Sequence, residues 1–344
     1  GLSEDDSRNL IIDSGGFQGY NKDLVITTES VLKIYEASQL SKKDHVVTLD
    51  RIPFPDQKPA TRMKKIVETN KNYKKMVSEN PKVLHTIQGW TPKEMKKSLS
   101  VCEDKEFFTF PSYFTLLTNK RKDENGNYVK IVADDSFYTE KNREYWRNVF
   151  YVNVDKFEES LSTYRLVVKR FIDFLNIYRE KRLDAKVHCL GASASLAMHL
   201  LNYTGVFKQF DSANWRVKAK YAKLQFGYRD YSVSEAYIGQ KDINYGNTEW
   251  KDEWDTLLLR CDCPVCKGLS LKQRINTMRI KGTEGFRNRA IHNAYHYYLE
   301  LQTGRELMGT DKYEKLINKR VKGSSGFYKM FWKAIKHHIK PYQN

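Results

Sequence analysis

Three of the five cysteines in this 344-residue chain fall within six positions, in the run CDCPVC (261–266). Thiols at C-x-C and C-x-x-C spacing bridge one another only with strain. Three thiolates so spaced can instead face a single ion, so the run predicts a metal site at Cys261, Cys263 and Cys266. Tetrahedral zinc asks for a fourth ligand. Cys102 and Cys189 stand apart from this group and read as small buried residues. A second set of chemistry-bearing residues is dispersed. Asp13, Asp50, Gln88 and Asp211 each close a short β-branched or aromatic run. Any one of the aspartates alone reads equally well as a helix N-cap. Three aspartates and a glutamine at successive strand ends point instead to one mouth, where α/β folds place their chemistry. Two carboxylates in one pocket suit glycosidic-bond chemistry: one attacks or stabilises the anomeric carbon, the other moves protons.

The elements that must position these residues are legible as an alternation. Strand-like runs occur at NLIID (9–13), HVVTLD (45–50), KVLHTIQ (82–88), EFFTF (106–110), KVHCL (186–190) and VFKQFD (206–211). Helix-like stretches lie between them, at Ser30–Leu40, Ala60–Asn80, Pro92–Val101, Phe157–Arg182 and Ser193–Leu201. From Phe157 to Tyr178 apolar residues recur at three- and four-residue steps, the mark of a buried helical stripe. Buried strands alternating with helices imply βαβ units around a parallel sheet, either open and doubly wound or closed into a barrel. The polar segment TNKRKDENGNYVK (118–130) reads as an exposed loop or hairpin tip.

Composition supplies a class of partner. The chain is 40% hydrophobic, enough for one large core or two medium ones, and its net charge is +17. From Leu271 to Asn344 there are 16 Lys and Arg against 5 Asp and Glu, so the charge is a patch and not a uniform coat. Such a patch suits a polyanion, because phosphate neutralisation is the main sequence-independent source of nucleic-acid affinity. No stretch is apolar and long enough to be a signal segment or to span a membrane, which predicts a cytoplasmic protein without a membrane partner.

The motifs, taken in order, resemble the tRNA-guanine transglycosylase superfamily. DSGGFQ (13–18) is similar to its signature, LDRIPFP (49–55) to its strand-end aspartate and proline turn, and HTIQG (85–89) to its I-V-Q-G segment. HCLGAS (188–193) stands at its glycine strand end, and FDSANWR (210–216) at its nucleophile. The family's histidine, 26 positions after the last cysteine, lands on His292 within IHNAY. The resemblance therefore implies a closed, structural Cys₃His zinc site of Cys261, Cys263, Cys266 and His292, with His296 one turn further as the competing ligand. It implies a (β/α)8 TIM-type barrel with an inserted C-terminal zinc subdomain. Only nine residues precede LIID, so the first strand is expected to be missing or the barrel modified. The expected partition is a catalytic barrel over 1–255, a zinc-binding subdomain over 256–303 and a basic helical extension over 304–344.

The resemblance also implies roles. Asp211 is the expected nucleophile and Asp13 the general acid/base of a pentosyltransferase. Asp50 and Gln88 would read the edge of a guanine-like base, Gly89 would allow close backbone approach, and Ser14, Gly15, Gly16 and Phe17 would line the pocket. Base flipping is implied for the target nucleotide. Two departures redirect the substrate. The family's glycine-rich segment is replaced by FFTFPSYF (107–114), and its tRNA-reading proline-threonine-arginine run by SANWRVKAK (212–220). In that run Trp215 is available for stacking and Arg216, Lys218 and Lys220 for phosphates. These departures point to the superfamily's DNA-modifying branch, in which guanine in DNA is exchanged for a free 7-deazaguanine base such as 7-cyano-7-deazaguanine, protecting the DNA from restriction. A tRNA substrate is the alternative, and a non-catalytic zinc-containing binding subunit a further one. The related tRNA enzymes form homodimers, so a dimer is a further expectation. FYKMFWKAIKHHIKPY (327–342) reads either as a nucleic-acid platform or as an amphipathic helix with Phe327, Met330, Phe331 and Ile335 inward.

Overall fold

A computed structural model describes residues 10–15, 25–114, 120–122, 128–131, 133–137, 139–140, 144, 163–192, 194–233 and 252–338. Gly16 and Phe17 and the segment 157–162 lie outside the described residues. The chain packs as two units that interleave in sequence. One comprises Gly1–Gly191, Thr204–Asp211 and Met330–Lys340; the other comprises Ala192–Tyr203, Ser212–Lys329 and Pro341–Asn344.

The first unit holds six parallel strands: β1 (Ile11–Ile12), β2 (His45–Val47), β3 (Val83–Leu84), β4 (Phe107–Pro111), β7 (Lys186–Leu190) and β8 (Phe207–Phe210). They run in the orders β1-β2-β3 and β4-β7-β8. A parallel bridge between Thr86 and Thr109 joins the continuation of β3 to β4. Among the described residues no pairing joins β8 back to β1. Within the polar stretch, β5 (Lys120–Lys122) pairs antiparallel with β6 (Tyr128–Lys130). Helices α1 (Thr28–Ala37), α2 (Pro59–Glu79), α3 (Pro92–Leu99) and α4 (Thr163–Glu180) follow strands or loops in the expected alternation. Their starts are written in the sequence. Thr27 and Thr91 make reciprocal capping boxes with Ser30 and Glu94, and Pro59 and Pro92 occupy first-turn positions where no amide hydrogen is needed.

The core of this unit is aromatic. Phe110 lies 4.2 Å from Phe174 between ring centroids, and Phe171 packs on Phe114 at 5.5 Å and on Phe331 at 5.5 Å. The periodic stripe in α4 supplies Phe171 and Phe174. Phe331 comes from α11 (Gly326–His338), which turns Phe331 and Ile335 inward and leaves Lys329, Lys333 and Lys336 exposed.

The second unit contains α5 (Ser195–Tyr203), α6 (Asn214–Lys220), α7 (Asp252–Leu259), α8 (Leu271–Arg279), α9 (Gly282–Leu307) and α10 (Asp311–Lys322). It also contains an antiparallel hairpin of β9 (Lys223–Phe226) and β10 (Arg229–Ser232), with Gly227 at positive φ in its two-residue turn. A buried charged group ties three of its helices together. His199 Nε2 meets Glu300 Oε1 at 2.8 Å, Arg320 binds both partners, and Tyr313 Oη lies 3.0 Å from His199 Nδ1. Gly304 is small because a Cβ there would stand 2.9 Å from the His199 ring. No described helix is long and apolar enough to cross a membrane.

Candidate functional sites

The polar strand ends of the first unit form one connected group. Asp13 follows β1 directly, and the backbone N–H groups of Ser14 and Gly15 donate to its carboxylate. Gly15 takes a positive φ of 74°, the conformation that turns the chain back over the aspartate. Asp13 is held above the ordinary carboxylate range, chiefly by the protein packed around it and then by the negative charge of Asp211. Asp50 follows β2 and is pushed up to about 7 by burial, with the charge of Asp13 adding to the effect. Tyr35 closes the floor beneath both, donating its hydroxyl to Val47 O at 2.7 Å.

Gln88 is fully buried, and both ends of its amide are committed. Its Nε2 donates to Asp50 Oδ2, and its Oε1 accepts from the hydroxyl of Tyr113. The tyrosine therefore fixes which way the amide faces and directs its donor at the carboxylate. Tyr113 sits at φ 54°, uncommon for a residue with a Cβ, and stacks on Trp90 at 5.0 Å with 19° between the planes. Buried Arg170 of α4 ties the two neighbouring strand ends together. It donates to Gly89 O at 2.6 Å and also to Pro111 O, with its guanidinium 3.8 Å from the Phe110 ring and 4.3 Å from Tyr113. At Gly89, φ is +125° and a Cβ would lie 2.8 Å from Glu94 Cβ, so the start of α3 itself requires glycine there.

Asp211 follows β8 and is half exposed. One of its oxygens, Oδ1, is held twice: by the amide of Gly191 at 2.9 Å and by His188 Nε2 at 3.1 Å. Asp13, Asp50, Gln88 and Asp211 are thus linked by hydrogen bonds or by mutual charge, with Ser14 buried beside them. Tyr113, Trp90, Arg170, Tyr35 and His188 were not legible as site residues. Tyr113 and Arg170 lie in apolar runs, and His188 is the middle residue of a five-residue strand.

The second unit gathers the metal-type residues. The ligand atoms of Cys261, Cys263, Cys266 and His292 all lie within 4.8 Å of one another, and all four residues are buried. His292 Nδ1 stands 3.5, 3.5 and 3.9 Å from the three sulfurs. Tetrahedral zinc with its usual bond lengths sets nitrogen–sulfur edges of roughly 3.5 Å, so the residues fit that ion. The other ring nitrogen of His292 donates to Gln225 O at 3.1 Å, which fixes the tautomer and leaves Nδ1 for the metal. His296 approaches only Cys261 among the sulfurs, at 3.3 Å, and is outside the four-residue cluster. Its pKa is lowered to about 3, mainly by burial. The supports are local. Asn293 accepts from Gln225 N at 2.7 Å and donates to Trp215 O and Lys223 O, so His292 and Asn293 together anchor β9 to α9. Arg274 donates to the carbonyls of Leu258, Leu259, Cys261 and Leu269, bracing the cysteine loop.

The residues read from the sequence as phosphate and base contacts also belong to this unit. Trp215 and Arg216 line a groove of about 720 Å³ together with Phe286, Arg287, Tyr295 and Tyr298. Arg216 and Lys220 are open to solvent. Lys218 is turned inward: its Nζ donates to Gln225 Oε1 at 2.9 Å and sits 5.7 Å from the Tyr297 ring centroid, and burial lowers its pKa.

Comparison with known proteins bears on the second unit. Residues 221–325, under a third of the chain, match the family model of queuine tRNA-ribosyltransferase. The matched stretch contains the whole Cys₃His cluster, and the match supports the tRNA-guanine transglycosylase superfamily and its transglycosylase chemistry. A search of curated proteins returned no match.

Proposed function

We propose that the chain is a guanine transglycosylase that exchanges guanine in DNA for a free 7-deazaguanine base through a covalent glycosyl–aspartate. The observation that carries this reading is the approach of Asp13, at the end of β1, and Asp211, at the end of β8, within reach of each other's charge and beside the Asp50–Gln88 pair. The six parallel strands support a modified β/α barrel whose carboxyl-end mouth is this site.

In the first half-reaction Oδ2 of Asp211 attacks C1′ of the flipped guanosine. The O–C1′ bond forms as the C1′–N9 bond breaks, and Asp13, acting as general acid, gives a proton to the departing base. In the second half-reaction N9 of the incoming base attacks C1′, its proton passes to Asp13, and Asp211 is released as a carboxylate. Asp50 in its ionised form accepts from N1–H and N2–H of the base, while Gln88 presents its second amide hydrogen to O6 or the 7-substituent. The covalent link keeps the sugar and backbone in place while no base is attached. Cys261, Cys263, Cys266 and His292 would hold a zinc ion, which would supply structure, since four protein ligands would complete a tetrahedral site.

DNA is favoured because SANWRVKAK stands where tRNA-reading members carry a proline-threonine-arginine run. Trp215, Arg216, Lys220 and the groove beside them offer aromatic faces and cations to an unstacked strand. The family model's own description names a tRNA substrate, and that is the second reading. The deciding experiment offers labelled guanine with duplex DNA, single-stranded DNA or bulk tRNA to the full chain, with Asp211→Asn as control. Label entering DNA alone is expected; label entering tRNA overturns the DNA reading; label entering neither overturns base exchange.

A further inference from the structure

Asp211 owes its place to an irregularity in β8. The β7–β8 register pairs Val187 with Phe207 but His188 with Gln209, so Lys208 is an extra residue without a counterpart. Because side chains alternate along a strand, one extra residue exchanges the faces of everything after it. With the bulge, His188 shares a face with Gln209 and therefore with Asp211, two residues on. Without it, His188 would pair with Lys208, and Asp211 would project from the opposite face. The bulge brings Asp211 Oδ1 to within 3.1 Å of His188 Nε2.

The protonation state of His188 follows from its surroundings. The ring is only 5% exposed, and its Nδ1 is buried with no hydrogen-bond partner among the described residues. A protonated imidazole would leave an N–H at that position with nothing to bind. A neutral ring with its proton on Nε2 leaves only a lone pair there, which is the cheaper arrangement in a buried site. The groups near the ring are the Asp211 carboxylate in direct contact and the Asp13 carboxylate in electrostatic reach.

We infer that His188 is a positioning residue: a neutral Nε2–H donor, placed by the Lys208 bulge, that together with the Gly191 amide pins Oδ1 of Asp211 and leaves Oδ2 to attack. This rests on the base-exchange reading and adds a residue to it. Oδ1 becomes the carbonyl oxygen of the glycosyl ester and keeps both hydrogen bonds. When the second base attacks C1′, the charge returning to the carboxylate develops in part on this doubly held oxygen, which favours its departure. His188 gains and loses no proton in either half-reaction.

The test compares His188→Gln with His188→Leu in the full chain. A glutamine amide can donate to Oδ1 at this reach but does not titrate; leucine does neither. His188→Leu is expected to lower turnover about 100-fold, with KM for the nucleic acid unchanged, and His188→Gln to recover at least tenfold of that loss. In ¹⁵N-histidine NMR spectra of the wild type, the signal lost in His188→Gln is expected to report a ring with its proton on Nε2 at the pH of the assay. His188→Gln as slow as His188→Leu, with a His188 signal that titrates in step with the rate, would make the residue a proton carrier and overturn the inference. A folded His188→Leu protein with wild-type turnover overturns it equally. Both of those outcomes leave base exchange standing. A wild type that transfers no base to DNA or to tRNA removes the functional reading itself, and the role of His188 with it.

Discussion

The two units hold small groups of side chains together by opposite means. In the second, three of four metal-type residues lie within six positions, and the fourth is on a helix whose next residue is stitched to the same strand. In the first, Asp13, Asp50, Gln88 and Asp211 arrive on four different strands, from residue 13 to residue 211, and nothing local relates them. A contiguous spacing carries its geometry in the sequence, and the family-model match lies in the unit that has one. A convergent site carries its geometry in the register of a sheet. The first kind fails when a ligand is removed, and the second when a strand slips or a strand end loosens.

The comparison can be broken first at the site itself. Asp211→Asn is expected to lower base exchange by about 10⁴-fold or more while leaving one zinc per chain and the melting temperature unchanged. Kinetics and metal analysis on one preparation check this, and loss of zinc would show that the two sites are not separable. Next, Cys266→Ser is expected to lose stoichiometric zinc. It should also lower stability by several kcal/mol, since binding energy at a structural zinc site is folding energy; calorimetry with and without chelator measures it.

Smaller effects sharpen the same contrast. Asp50 has a folded pKa of about 7 against 3.8 for the free side chain, so the folded state favours its protonated form. Stability on this account is fully present below pH 4 and declines as pH rises through 7, and Asp50→Asn should melt above the wild type at pH 8. Guanine needs the ionised form, so its affinity should rise about tenfold from pH 6 to 8, with proton release visible by calorimetry in two buffers. In Asp50→Asn that pH dependence should vanish. Smallest of all, His296→Ala should retain zinc and change stability by no more than about 1 kcal/mol. Loss of the metal would make His296 the ligand in place of His292.

Much of this was legible before any coordinates. All six strand runs become parallel strands, because β-branched and aromatic runs bounded by polar ends have few other uses. The cysteine spacing marked the metal-type cluster, and the strand-end aspartates and Gln88 marked the first site. What escaped notice depends on pairing. Lys208 looks like any strand lysine, and only the partner strand shows it to be a bulge. His188 gains meaning from Asp211, and Tyr113 and Arg170 from Gln88 and Gly89. The β9–β10 hairpin carries a local signal of its own: KLQF and RDYS flank a glycine-led two-residue turn.

The packing of Phe331 against Phe171 and Phe114 has a consequence for synthesis. A chain made from its N-terminus completes strands β1 to β8 by residue 210, yet one wall of their aromatic core is on α11. At ordinary elongation rates, roughly 6–25 s pass before that helix follows. The cysteine loop and His292 are made within that interval, while Phe114 and Phe171 still lack Phe331. The metal-type cluster is therefore made before the aromatic core is complete, and a chain that ends short of α11 would present Phe114 and Phe171 without Phe331 as their cover.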